Sequence, residues 1–220
     1  MYKKLLKIFV LFLLFGVLAF PDSSFAFKSV TRDQLIYDAI EFSPAELQAY
    51  LRDNLIDVRA GSHFAERHRR RSYSVDPFAT ETIYKQLIQD LKARSYDDFN
   101  TPHAFGVLAC FIAETISPDN YRTPSQMIPD DVSYDGYQEI GDVKSNITVL
   151  IENYRIPYRK RMEKEITDQL YKVAVNEIVD YWVSAWEASG HQTGRFADTG
   201  KKINHQIIVP KSKKTEEKIQ

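Results

Sequence analysis

Apolar side chains at helical spacing limit what this chain can fold into more than any other feature of its sequence. No long alternation of apolar and polar residues, the pattern of a half-buried strand, competes with them. The sequence therefore predicts an all-α fold, a single-domain bundle of about six helices. The longest run of such apolar positions lies toward the C-terminal end: Met162, Ile166, Leu170, Val173, Ile178, Trp182 and Ala185.

Prolines and capping residues mark where the helices begin. The segment SPAE at 43–46 combines a capping serine, a proline at the first helical position and a glutamate placed for a capping box, which predicts a helix to about Ile56. Residues 121–141 lack periodicity and predict a long loop. The lysine-rich segment 198–220 predicts a flexible tail. The other predicted helices cover about 33–40, 76–93, 101–117, 142–154 and 157–190.

The first 26 residues have the pattern of a secretory signal peptide. Three early lysines precede an apolar run over 8–20, and Ser24-Phe25-Ala26 forms a small-x-small cleavage site. The apolar run is shorter than the roughly 20 residues that span a bilayer, which argues against a membrane anchor. We therefore predict cleavage after Ala26, a mature chain without a transmembrane segment, and a location in the periplasm or outside the cell.

The composition of the mature part limits its class and its partners. Removal of residues 1–26 leaves 194 of the 220 residues, which suits one domain, predicted to cover 27–197, ahead of the tail. The formal charge becomes −3, against −1 for the whole chain, because the removed part holds three lysines and one aspartate. This near-neutral balance gives no signal for a nucleic-acid partner. Because Cys110 is the only cysteine, the fold must be stable without an internal disulfide.

Two pairs of polar residues stand four positions apart on predicted helices. Cys110 and Glu114 form the first pair, and Thr148 and Glu152 form the second. Positions four apart lie on one face of a helix, and helix bundles build metal sites from such pairs when several helices present them inward. Asn120 follows the first helix and can fold back over its tip. The alternative for Cys110 is a small buried apolar residue.

The order of these features resembles the zinc-dependent phospholipase C proteins and the related single-strand-specific nucleases. That family consists of exported all-α enzymes that hold a cluster of three zinc ions. Its mature chains begin with a tryptophan whose amine and carbonyl bind metal, followed by a Thr-His pair, a helix-end aspartate and a histidine. A His-x3-Asp-x5-His motif, with a proline before its last histidine, and a His-x3-Glu pair complete the ligands. The resemblance implies the same multi-helix fold for this bundle.

In this sequence the spacing of the family pattern is retained while most of its histidines are replaced. The central motif keeps its spacing and its proline, Pro118, but none of its three residue types. Either His63 or His68 fits the histidine that follows the helix-end aspartate. The resemblance implies these metal-binding candidates: Phe27, Asp57, His63, Cys110, Glu114 and Glu152. The positions that have lost a ligand are Arg32, which follows Thr31, Asn120 and Thr148.

Arg32 is the replacement with the clearest physical consequence. A zinc ion takes about four ligands from cysteine, histidine and carboxylate groups, and the candidates above cannot supply three ions. The guanidinium carries a permanent positive charge that divalent ions would repel. We therefore expect Arg32 to replace metal charge through an ion pair with Asp57, Glu114 or Glu152. We also expect the two polar pairs and Asp57 to converge on one interior cleft beside residue 27.

Three functions follow from these expectations. The leading one is an exported, non-catalytic binding or scaffold protein with a degenerate metal site. The second is a metal-dependent phosphodiester hydrolase of the phospholipase C or nuclease type with a reduced zinc cluster. There, a metal-bound hydroxide would attack a phospholipid or another phosphate ester, with Asp57 as the base. The third is an unrelated helical interaction protein.

Overall fold

The computed structural model describes residues 29–64, 76–93, 100–116, 128–154 and 164–205. Within these residues the chain forms seven helices and one two-stranded sheet, which confirms the predicted class as a mostly helical fold. None of these seven helices is both long enough and apolar enough to cross a membrane. The predicted signal peptide, Phe27, His68 and Asn120 lie outside the described residues.

The helices follow the predicted order along the chain. Helices α4, α5 and α6 begin and end within a residue or two of the predicted positions. The N-cap of α4 is Asp76, which accepts a hydrogen bond from the backbone N–H of Phe78 at 2.9 Å, ahead of a proline at the first helical position. The helices are α1 (Ser29–Phe42), α2 (Ala45–Asp53), α3 (Leu55–Ser62), α4 (Pro77–Lys92), α5 (Asn100–Ile116), α6 (Val143–Tyr154) and α7 (Lys164–Ala188).

Helices α5 and α7 run through the centre of the core. Both are buried over most of their length, and α1, α3, α4 and α6 pack around them. The indole N–H of Trp182 on α7 donates to the backbone carbonyl of Phe105 on α5 at 3.0 Å. The two rings meet edge to face with centroids 5.9 Å apart. This contact combines aromatic packing with a satisfied polar group, so it holds the two central helices in a fixed position.

The backbones of α3 and α5 touch at two glycines. A Cβ atom on Gly106 would lie 1.8 Å from the carbonyl oxygen of Val58, and one on Gly61 would lie 2.0 Å from that of His103. No Cβ atom tolerates such a distance. The close crossing of these helices therefore requires glycine at both positions, and it places α3 directly against the central helix.

The helix predicted from the SPAE segment to Ile56 is divided in two. Asn54 separates α2 from α3, and its side-chain amide donates to the carbonyl of Tyr50 at 2.9 Å. Ser43 does not cap α2, because its hydroxyl donates to the carbonyl of Ala39 in α1 at 2.8 Å. Asparagine and serine side chains compete for backbone groups in this way, which is why they interrupt helices as readily as they begin them.

The predicted flexible tail is wrong for residues 198–205. Strand β2 (Lys202–Asn204) pairs antiparallel with β1 (Asp131–Ser133), with Val132 opposite Ile203. The sequence prediction failed because three strand residues give too short a pattern to detect against a lysine-rich background.

His205 then ties the end of β2 to the helices. Its Nε2 lies 3.0 Å from the Asp38 carboxylate on α1, and its Nδ1 lies 2.7 Å from the carbonyl oxygen of Pro129. The hydroxyl of Tyr171 on α7 donates to the same carboxylate at 2.6 Å. Asp38 thus joins α1, α7 and β2 in the interior.

Candidate functional site

A buried ion pair links α1 to α5 at the centre of the predicted site. The Nη2 of Arg32 lies 2.5 Å from the Oε1 of Glu114. The Arg32 side chain is 2% exposed and that of Glu114 is 24% exposed. The expectation that Arg32 pairs with one of three acidic candidates is confirmed, with Glu114 as the partner. Glu114 lies in the last turn of the buried helix α5, two residues before its end, and the ion pair links it to α1.

The surroundings of this pair are tightly packed. Cys110, one turn before Glu114, is 2% exposed, and with Arg32, Ser62 and apolar side chains it surrounds a space of about 10 Å³. A cavity needs at least roughly 10–15 Å³ to hold one water molecule. Cys110 is therefore a core residue at a closed helix interface. The expected interior cleft is not formed at this point.

His63 and Asp57 lie on α3, and His63 belongs to a different cluster. The Nε2 of His63 lies 2.9 Å from the Oδ1 of Asp33, and Arg59 donates to both carboxylate oxygens of Asp33, at 3.0 and 2.5 Å. Burial raises the pKa of Asp33, but the hydrogen bonds from Arg59 and His63 outweigh it and leave the pKa below its usual range. This cluster ties α3 to α1 at a half-buried position. Asp57 is also half-buried, in the first turn of α3.

The predicted convergence is wrong for Thr148 and Glu152. Both are exposed on α6, and the hydroxyl of Thr148 donates to the carbonyl of Lys144 in its own helix at 2.8 Å. The physical reason is the periodicity of α6, whose buried residues are Val143, Ile147 and Leu150. At 100° per residue, positions 148 and 152 lie on the opposite face. Their spacing does place them together, but toward solvent.

The described residues do not fit the zinc cluster that the resemblance implies. No group of three histidine, cysteine, aspartate or glutamate side chains among them is arranged to hold a metal ion. The carboxylate of Glu114 is paired with the Arg32 guanidinium, and the His63 ring contacts the Asp33 carboxylate. Glu152 is exposed to solvent. A metal site would need these three groups to point at one position.

The sequence analysis did not identify a row of polar side chains on α7 that binds another segment of the chain. Asn176, Asp180 and Ser184 lie four positions apart, and each accepts a backbone N–H from the segment after β1. The donors are Asp135 at 3.1 Å, Gln138 at 2.9 Å and Ile140 at 2.9 Å, respectively. We call residues 134–141 the strap, because side chains of α7 hold their backbone. The signal in the sequence was three polar residues at i, i+4 and i+8 on the longest helix in the described part of the chain.

Two acids on the strap face of α7 have strongly shifted pKa values. Burial raises the pKa of Asp180 to about 8, although the hydrogen bond from Gln138 opposes it. Burial, with Asp135 nearby, raises the pKa of Glu177 to about 7. The Oε2 of Glu177 is buried and has no hydrogen-bond partner among the described residues. Both acids are therefore held partly protonated near neutral pH.

Comparisons with known proteins found no match for this chain. No protein-family model matches the chain, and neither a curated protein nor a solved structure does.

Proposed function

We propose that this is an exported, non-catalytic binding or scaffold protein whose interior charge is balanced by an arginine in place of a metal ion. The observation that carries the proposal is the buried Arg32–Glu114 pair. In the zinc-enzyme family that the sequence resembles, these two positions correspond to metal ligands. A buried carboxylate needs a compensating charge, and a guanidinium supplies it with fixed geometry and without cofactor.

The exposed face of α6 supports the same proposal. Glu152 stands where the resemblance expects the last metal ligand, and it is exposed together with Thr148. A phosphodiester hydrolase with a reduced cluster would need several of these groups around one ion.

The export part of the proposal depends on the predicted signal peptide at 1–26. N-terminal sequencing of protein from the periplasm or medium should give Phe27 as the first residue, and a cytoplasmic chain beginning at Met1 would contradict it.

Metal content and hydrolysis test the proposal directly. Protein purified without chelators from zinc-supplemented cells should hold well under one zinc ion per chain. It should not hydrolyse bis-p-nitrophenyl phosphate or phosphatidylcholine above the background of the buffer. Stoichiometric zinc that disappears in Glu114→Gln or Cys110→Ser, together with hydrolysis, would instead identify a reduced-metal hydrolase. Glu165→Gln, which removes an exposed acid at the start of α7, is the matched control.

A further inference from the structure

A second and much larger cavity lies against the strap and shares no lining residue with the small space beside Arg32. It has a volume of about 230 Å³ and opens to solvent between α4, the C-terminal turns of α7 and the strap. Two tyrosines, Tyr84 and Tyr137, a serine, Ser184, and two glutamates, Glu139 and Glu187, supply its polar lining. The cavity is smaller than typical drug-sized sites of about 300–1,000 Å³, so it suits a ligand of few heavy atoms.

The aromatic walls of this cavity are held rigidly. Tyr84 on α4 is 7% exposed, and its ring packs edge to face on Tyr181 at 5.9 Å. The ring of Tyr137 stacks on Phe196 at 5.2 Å, and its hydroxyl donates to Glu187 at 2.9 Å. Ligand sites with preformed walls lose little entropy on binding. The pocket is therefore organised before any ligand arrives.

The charge of the lining is negative and uncompensated. Neither Glu139 nor Glu187 forms an ion pair with a basic residue in the described part of the chain. Both carboxylates are exposed at the rim and act on Tyr84: burial raises its pKa to about 12, and the two glutamates contribute to the increase. A rim of two carboxylates over tyrosine rings attracts positive charge and repels anions.

We propose that this cavity binds a small organic cation that bears N–H groups, an alkylammonium or alkylguanidinium. The carboxylates of Glu139 and Glu187 accept charge-assisted hydrogen bonds from the cationic head. The rings of Tyr84 and Tyr137 contact the alkyl part and add cation–π attraction. A phosphate ester would be repelled by the same rim. This site is separate from the Arg32–Glu114 pair, so either assignment can fail without the other.

An NMR titration of the full chain tests this site, followed through the backbone amides of residues 139–140 and 187–188. The probes are n-butylammonium, n-butylguanidinium and 1-butanol, the neutral analogue of n-butylammonium. Both cations should give saturable shifts, and 1-butanol should bind at least about tenfold more weakly than n-butylammonium, because it has the same number of heavy atoms without the charge. Equal affinity for 1-butanol and n-butylammonium would overturn the proposal, as would the absence of saturable shifts with both cations.

Single variants locate the charge that matters. Glu139→Gln and Glu187→Gln should each weaken n-butylammonium binding by about tenfold. The glutamine at 187 still accepts the hydrogen bond from Tyr137, so the wall is preserved. Glu165→Gln removes the same charge away from the cavity lining and should change affinity by less than about twofold. An equal loss of affinity in Glu165→Gln would mean that the cation responds only to the net charge of the protein, which contradicts a specific binding site in the cavity.

A further probe identifies the source of the cation. Nα-acetyl-lysine amide carries a primary ammonium at the end of its side chain, like n-butylammonium, while its backbone amine and carboxyl are capped as in a peptide. Binding as tight as that of n-butylammonium would assign the cavity to a lysine side chain of a partner protein. Binding about tenfold weaker would assign it to a free amine. Both results support the cation site.

Discussion

The two buried acidic regions of this protein neutralise their charge in different ways. At the α1–α5 interface, Glu114 is paired with Arg32, and the arrangement needs no proton. On the strap face of α7, Glu177 and Asp180 have no basic partner in the described part of the chain, and burial raises the pKa of each. The second region titrates near neutrality, because the pKa values of its two acids are about 7 and about 8. The comparison shows that one core can bury acids through pairing and through protonation.

The two regions also differ in how their backbones are held. Near Arg32, α3 lies against α5 through Gly61 and Gly106, with main-chain atoms in direct contact. The strap has no regular secondary structure over most of its length and is held by side chains of α7. Changes in backbone volume should therefore affect the first region, and changes in side-chain acceptors should affect the second.

The largest effect is expected from Gly106→Ala. The added methyl group would lie 1.8 Å from the carbonyl oxygen of Val58, so α3 and α5 must separate. We expect a loss of at least about 4 kcal/mol in the free energy of unfolding, measured by urea denaturation. Gly141→Ala at the end of the strap is the control, since a Cβ atom there meets nothing within 4 Å, and it should change stability by less than about 0.5 kcal/mol. Equal losses in the two variants would remove the distinction between the regions.

The ion pair is tested by Arg32→Leu. Leaving Glu114 partly buried without its partner should cost about 3–5 kcal/mol and lower Tm by on the order of 10 °C. The double variant Arg32→Leu with Glu114→Leu should recover a large part of this loss, because no buried charge remains. Arg52→Leu, which removes the exposed Arg52–Glu41 pair, is the control and should cost at most about 1 kcal/mol. An unchanged melting curve for Arg32→Leu would show that the pair does not compensate charge.

The pH behaviour of the strap face is tested by Asp180→Asn. Its folded-state pKa of about 8 lies above the ordinary 3.8, so the native protein binds the extra proton and loses stability as pH rises toward 8. The asparagine retains an acceptor for Gln138 and cannot ionise. Relative to the natural protein, the variant should therefore gain on the order of 2 kcal/mol between pH 5 and pH 8. Glu165→Gln should show no such gain, and a gain of the same size there would contradict the assignment to Asp180.

The smallest effect is expected from Ser184→Ala. The change removes the acceptor for the backbone N–H of Ile140 and the contact with the hydroxyl of Tyr137. A buried donor left without a partner costs about 1–2 kcal/mol. Hydrogen exchange at the Ile140 amide should accelerate by about tenfold. The exposed Thr148→Ala is the control, and acceleration at Ile140 in that variant would contradict a local role for Ser184.

The sequence was sufficient for the helix order because its start signals act locally. Asp76 and the proline after it fix the start of α4, where the Asp76 side chain accepts the backbone N–H of Phe78. The pairing of Arg32 with an acid was also predictable, since a buried guanidinium needs a countercharge. The resemblance to the zinc-enzyme family supplied Glu114 as a candidate partner.

Other features were missed for different physical reasons. The spacing of Thr148 and Glu152 places them together on α6, but the apolar residues Val143, Ile147 and Leu150 turn that side toward solvent, a periodicity that the family pattern does not take into account. The break at Asn54 depends on a side chain that competes with the helix for backbone groups. The strap contacts of Asp180 join segments far apart in sequence, and no local pattern records them.

The contacts that Asp38 makes with Tyr171 and His205 determine when the native structure can be completed. Asp38 joins Tyr171 across 133 sequence positions and His205 across 167. Contacts of such separation carry a high loop-closure entropy, and they form late in folding. As the chain becomes available from its N-terminal end, α1 to α3 can assemble early, but Asp38 lacks Tyr171 until residue 171 is present and lacks His205 until residue 205 is present. The contact with His205 therefore delays the final closure of the domain until residue 205 is available.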